Sequence, residues 1–348
     1  MGLRLSEPKL CVLVFFLAFS SFLVQTLGSG ECERETGDCY NKTSALRLKL
    51  VAIAAILISS MIGVCLPLIT RSLPALNPDR DAFYVVKAFA AGVILATGYM
   101  HVLPDSFNNL TSSCLPENPW QKFPFTTFIA MLSAVFTLMV ESFATSFYRR
   151  MNDKKKGIVN PLGTDTEMSP IGHSHGHGFE HKDGPATAML RYRVIAQVLE
   201  LGIVVHSVVI GLSLGASMNP CTIRPLVAAL CFHQLFEGMG LGGSILQAEY
   251  KILTKSIMVF FFSVTTPFGI ALGIFLSNVY SESSPTALIV VGVLNATSAG
   301  LLNYMALVDL LATDFMGSRF QNSPKLQAMA YASVLLGAGG MSLMAKWA

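Results

Sequence analysis

Two histidines and a glutamate carry the chemistry that is easiest to read in this sequence. His206 stands in Val204-Val205-His206-Ser207-Val208-Val209-Ile210-Gly211; His233 and Glu237 stand in Cys231-Phe232-His233-Gln234-Leu235-Phe236-Glu237-Gly238. Both runs are apolar, and Asn219-Pro220-Cys221-Thr222-Ile223-Arg224-Pro225 joins them. An ionisable side chain at the centre of a bilayer costs about 2.5–3.5 kcal/mol on insertion scales, so it needs a reason to be there. At about 1.5 Å per residue, His206 lies roughly 18 Å along a helix entering at Val194. His233 and Glu237 lie roughly 12 and 18 Å along one returning from Pro225. All three then fall in the middle of a hydrocarbon core about 30 Å thick. The i,i+4 spacing puts His233 and Glu237 on one helix face. Two imidazoles and a carboxylate at one depth suit a divalent transition metal. The rival reading is a pair of histidines hydrogen-bonded to neighbouring helices beside a protonated Glu237, and the convergence of three such groups favours the metal.

The rest of the chain must position that trio. Hydrophobic residues make up 52% of it and charged ones only 13%, against about 25% charged in soluble domains, which predicts a membrane protein. The net charge of +3 gives no reason to expect a nucleic-acid partner. Arg4 and Lys9 ahead of an apolar stretch predict a signal peptide over 1–28. An exterior segment follows at 29–47, with a glycosylation sequon at Asn41-Lys42-Thr43. Eight further runs have the length of spanning helices, at 48–70, 83–104, 123–147, 192–218, 225–248, 254–278, 286–308 and 327–346. Orientation follows from the basic residues. Arg71, Arg80, Lys87, Arg149, Arg150, Lys154, Lys155, Lys156, Lys182, Arg191, Arg193, Lys251, Lys255, Arg319 and Lys325 gather on one side, and Lys122, Arg224 and Lys346 on the other. Both termini are therefore expected outside. The chain divides into the leader, the exterior segment, spans one to three (48–147), a cytosolic loop (148–190), spans four and five (191–248) and spans six to eight (249–348).

The loop is polar, lacks apolar periodicity and is expected to be disordered. It holds His173, His175, His177 and His181, which could chelate a delivered metal without selecting sharply among ions. At the outer end of the second span, His101 and Asp105 are also i,i+4 and could collect a cation. Glu141 and Glu200 lie toward the cytosolic side of spans three and four, as an exit relay or as residues that simply reach the interface. Asn295-Ala296-Thr297-Ser298-Ala299-Gly300 and Asn303 read as close helix packing. Cys32, Cys39, Cys114 and Cys221 fall on the oxidising side, and Cys32–Cys39 and Cys114–Cys221 are the expected disulfides.

Taken together, His206-Ser207 with Gly211, His233-Gln234-Leu235-Phe236-Glu237-Gly238, the His-rich loop, eight spans and Gly98-Tyr99-Met100-His101-Val102-Leu103-Pro104-Asp105 resemble the ZIP (Zrt-, Irt-like protein) metal transporters, particularly the plant root iron-regulated branch. The resemblance implies an all-α membrane protein with eight transmembrane helices in a 3+2+3 inverted-repeat arrangement, both termini extracellular, acting as a homodimer. It implies uptake of Fe²⁺, Zn²⁺ and also Mn²⁺ or Cd²⁺ into the cytosol across the plasma membrane, an internal vesicle membrane being the alternative. No resident cofactor is implied. His206, Ser207, His233, Gln234 and Glu237 would form the transport site, with His101 and Asp105 at the entrance and Glu141 on the route. Ile210 and Thr266 before Pro267 replace acidic residues found in some relatives, which argues against a second adjacent metal, and Asn108 stands where the plant branch often has an acidic residue near the entrance, which could weaken capture or change selectivity. The rival classes are an intramembrane metalloenzyme and a metal-sensing receptor. The first fits poorly, because His233 and Glu237 make His-x-x-x-Glu and not His-Glu-x-x-His.

Overall fold

In lipid every backbone polar group must be satisfied within the protein, so long apolar runs become helices. The computed structural model describes residues 39, 41–70, 80–159, 185–277 and 284–346, and all regular structure among them is helical. Eight long helices result: α1 Lys42–Thr70, α2 Asp81–Leu110, α3 Phe125–Val159, α4 Pro185–Ala216, α5 Pro220–Gln247, α6 Ile252–Leu276, α7 Pro285–Phe315 and α8 Pro324–Ala345. Several starts are written in the sequence as a capping side chain followed by proline. Asn219 accepts from Cys221 N before Pro220, and Ser284 and Ser323 do the same work ahead of Pro285 and Pro324. Seven of the eight are long and apolar enough to cross a membrane, which makes this a multi-pass membrane protein. The exception is α5, which carries Arg224, His233, Gln234 and Glu237. Arg224 is exposed near the start of the helix, whereas His233, Gln234 and Glu237 are covered by neighbouring helices, each about 1% exposed. Met131, Val135, Leu138 and Phe143 of α3, by contrast, lie open on the outside of the bundle.

Besides an extensive contact between α2 and α7, the helices pack in four pairs: α1 with α5, α4 with α6, α2 with α8, and α3 with α7. Each pair is parallel, because its contacts climb together along both chains. Gly269 lies against Val208 and Gly211, and one turn on Gly273 lies against Leu212 and Gly215. A Cβ at Gly269 would stand 3.1 Å from the Gly211 Cα, so these two backbones meet where neither has a side chain. That is the close approach small residues permit in a membrane. The packings also fall into matched sets. Exchanging the first three helices for the last three, and α4 for α5, carries the α1–α5 packing onto α6–α4, α2–α8 onto α7–α3, and α2–α5 onto α7–α4. The exchanged helices α2 and α7 share a further feature, a π-helical turn, at Gly98–Val102 and Met305–Ala312 respectively.

The expected cysteine pairing is corrected. Cys39 is bonded to Cys221, a bridge between residues 182 apart in sequence. The parallel α1–α5 packing brings the starts of those helices together, and Asn41 N donates to Met218 O there at 3.4 Å. Neither Cys32–Cys39 nor Cys114–Cys221 can therefore form; Cys114 is itself disulfide-bonded, and Cys32 lies outside the described residues. Lys87 is also not a loop cation. It is buried on α2, its Nζ 3.0 Å from Asp314 Oδ2 and donating to Gln247 Oε1 at 2.9 Å. Helices run into the expected cytosolic loop as far as Val159 and from Pro185. The remainder of that loop, with His173, His175, His177 and His181, and the leader 1–28 lie outside the described residues.

Candidate metal centre

Helices α4 and α5 bring the central trio together. One ligand atom from each of His206, His233 and Glu237 can be chosen so that all lie within 4.8 Å of one another. The two imidazole centroids are 5.6 Å apart and the rings are tilted by 48°. Helix α5 begins at Pro220, so His233 sits roughly 20 Å along it and deeper than a start at Pro225 would place it. All three side chains are about 1% exposed. Among the described residues, His206 Nε2, both ring nitrogens of His233 and both carboxyl oxygens of Glu237 have no hydrogen-bond partner. Buried polar atoms ordinarily find partners, and a cluster of orphaned nitrogen and oxygen donors converging on one point is what a cation would satisfy.

The surrounding polar groups come from further helices. His206 Nδ1 is 3.0 Å from Ser298 Oγ of α7. Thr266 Oγ1 of α6 donates to Gln234 Oε1 at 3.5 Å, while Gln234 Nε2 and the buried hydroxyls of Ser207 and Ser263 are unpartnered. Ser207 and Gln234 thus sit in the same buried layer as the trio. Thr266 serves as a hydrogen-bond donor.

The two residues expected at an outer mouth differ in burial. His101, in the π-helical turn of α2, is 6% exposed with Nε2 unpartnered. It lies near both His206 and His233. Asp105, one turn on, is exposed and interacts with His101. Glu141 and Glu200 part company. Glu141 accepts from the Tyr304 hydroxyl at 2.6 Å and interacts with Asp309 of α7. Glu200 instead faces Tyr250. Tyr250 lies in the α5–α6 connection, donates to Arg193 O at 2.7 Å and has its phenol pushed up to about 12, chiefly by burial.

Sequence reasoning missed Asp309, which is 1% exposed with both oxygens unpartnered. Cutting the seventh run at 308 put Asp309 just past its end. The signal was present, since Leu307-Val308 and Leu310-Leu311 flank it on both sides. Ser298 was read as packing and turns out to hold a site imidazole. No sequence signal separated it from its small neighbours.

The family model described as ZIP Zinc transporter matches residues 46–345. Fe(2+) transport protein 2 of Oryza sativa subsp. japonica is 60% identical over 333 residues, covering 90% of this chain and 89% of that protein. Zinc transporter 7 of Arabidopsis thaliana is 56% identical over 357 residues, covering 99% and 98%. Fe(2+) transport protein 1 of Oryza sativa subsp. japonica is 62% identical over 325 residues, covering 90% and 87%. A family match reaching from α1 to α8, with relatives this similar along nearly their whole lengths, means that the chain belongs to the ZIP zinc transporter family.

Proposed function

We propose that this protein moves Fe²⁺ and Zn²⁺, and with them Mn²⁺ or Cd²⁺, across the plasma membrane into the cytosol. The cargo is held in passage by His206, His233 and Glu237, with Ser207 and Gln234 beside them. The observation that carries this reading is the convergence of three buried, otherwise unpartnered nitrogen and oxygen donors from α4 and α5. Relatives named Fe(2+) transport protein and zinc transporter support the two metals, and a family of transporters leaves no place for the metalloenzyme alternative.

Three donors without a thiolate suit passage. A closed four-ligand cage would hold the ion too firmly to let it go. The path runs from Asp105 to His101, then to the trio, and on toward Glu141 and Asp309. Glu200 lies off this line, at the α5–α6 connection. The matched packing of the first and last three helices supports the 3+2+3 inverted repeat. A disulfide between Cys39 and Cys221 supports exterior starts for α1 and α5, and with them an exterior amino terminus and eight spans. The open apolar side of α3 is suited to lipid. The homodimer and the metal-binding role of His173, His175, His177 and His181 rest on the resemblance and on composition.

Proteoliposomes holding only this chain test the reading. Radioactive Zn²⁺ and Fe²⁺ are expected to accumulate inside, and His233→Ala or Glu237→Gln to lower the rate by about tenfold or more, as loss of one ligand or its charge should. Undiminished accumulation by both variants would falsify the site assignment.

A further inference from the structure

We propose that Ser298 is a positioning residue for the metal site: its hydroxyl accepts the Nδ1 proton of His206, leaving the Nε2 lone pair free for the ion. The proposal rests on His206 being a ligand, as set out above.

A neutral imidazole has one N–H donor and one acceptor nitrogen, and the bond made by one nitrogen decides which role the other takes. His206 Nδ1 is 3.0 Å from Ser298 Oγ, both residues are 1% exposed or less, and Nε2 has no partner. Coordination through Nε2 requires the proton on Nδ1, and Ser298 Oγ is where that proton has an acceptor. Without the hydroxyl, Nδ1–H is buried and unsatisfied. Binding through Nε2 keeps the proton on Nδ1, so without the hydroxyl that cost is carried whenever the ion is held. His233 has no such peg, since neither of its ring nitrogens is bonded. The two imidazoles are therefore inequivalent: His206 is held in one orientation, and His233 adjusts to the cargo.

The neighbours of Ser298 show that its hydroxyl differs from an ordinary helix-packing one. Thr297 Oγ1 turns back to Val293 O of its own helix at 2.9 Å, the usual local bond of a membrane hydroxyl. Ser298 instead reaches across to α4. Helix α7 packs chiefly on α2 and α3, so the bond also ties a ligand of the α4–α5 site to a helix outside that pair.

The test uses the purified full chain, with Zn²⁺ binding measured by calorimetry and Zn²⁺ uptake measured in proteoliposomes. Partners of metal-bound histidines are worth about 10–100-fold in affinity. Ser298→Ala is expected to raise Kd and the uptake KM by that factor while the maximal rate stays within about twofold. Ser298→Thr, which keeps a hydroxyl, restores affinity, and Thr297→Ala changes neither quantity. On a His206→Ala background, Ser298→Ala adds no further loss, because the two residues act as one unit. Wild-type zinc affinity in Ser298→Ala, with His206→Ala binding lost, overturns this proposal alone. So does a Ser298→Ala loss of equal size with and without His206. Wild-type affinity in His206→Ala overturns the site assignment and the proposal with it.

Discussion

At the scale of residues, ligand chemistry decides selectivity. Two imidazole nitrogens and a carboxylate rank Zn²⁺ above Fe²⁺ in the divalent series, so this donor set cannot exclude zinc. About a tenfold excess of Zn²⁺ is expected to suppress radioactive Fe²⁺ uptake by more than half; uptake that ignores zinc would contradict the shared site. On the proposed route Asp309, which interacts with Glu141, acts after binding. Asp309→Asn should therefore slow the maximal rate several-fold with little change in KM, a split that initial-rate uptake curves resolve. Of these residues, the trio was legible because histidine and glutamate are costly in an apolar run. Asp309 escaped because a carboxylate at the end of such a run looks like an exit into water.

At the scale of helices, two devices hold the elements that frame the site. The first is the buried Lys87–Asp314 pair, 4% and 6% exposed, which joins α2 to α7 and reaches Gln247 of α5. Removing one partner of a buried pair strands the other charge, at about 3–5 kcal/mol. Lys87→Met should lower the thermal midpoint in detergent markedly, and Lys87→Met with Asp314→Leu should recover most of the loss. Equal midpoints for the single and double variants would rule out a stranded charge as the cause. The second device is the glycine contact between α4 and α6. A Cβ on Gly211 would meet Thr266 O at 2.7 Å and Gly269 Cα at 2.9 Å, both backbone atoms that cannot swing aside. Gly211→Ala is expected to cost about 1–3 kcal/mol through overpacking, visible as a lower midpoint in the same assay. Helix existence was legible throughout from hydrophobic run length. Ends were less so: α5 begins before Pro225 because Asn219 and Pro220 cap it, and α7 passes position 308 because Asp309 is buried.

At the scale of the whole molecule, the bridge between Cys39 and Cys221 closes a loop of 182 residues that holds the first four of the eight long helices. A long crosslink of this kind stabilises by about 2–5 kcal/mol. Reduction, or Cys39→Ser, should lower the thermal midpoint while leaving zinc affinity within about threefold, since the bridge lies at the helix starts and the trio near mid-helix. A large loss of affinity at unchanged midpoint would contradict that separation. The sequence by itself determined that this is a helical membrane protein and that His206, His233 and Glu237 lie at one depth, because hydrophobic run length and the cost of buried charge are local properties. It also carried the motifs of the family. Only the tertiary structure decided which helices are neighbours, and with that the cysteine pairing, the burial of Lys87, the parting of Glu141 from Glu200, and the reach of Ser298 to His206. Those facts depend on contacts between helices distant in sequence; small residues four apart, such as Gly211 with Gly215 and Gly269 with Gly273, mark a packing face but not the helix that it meets.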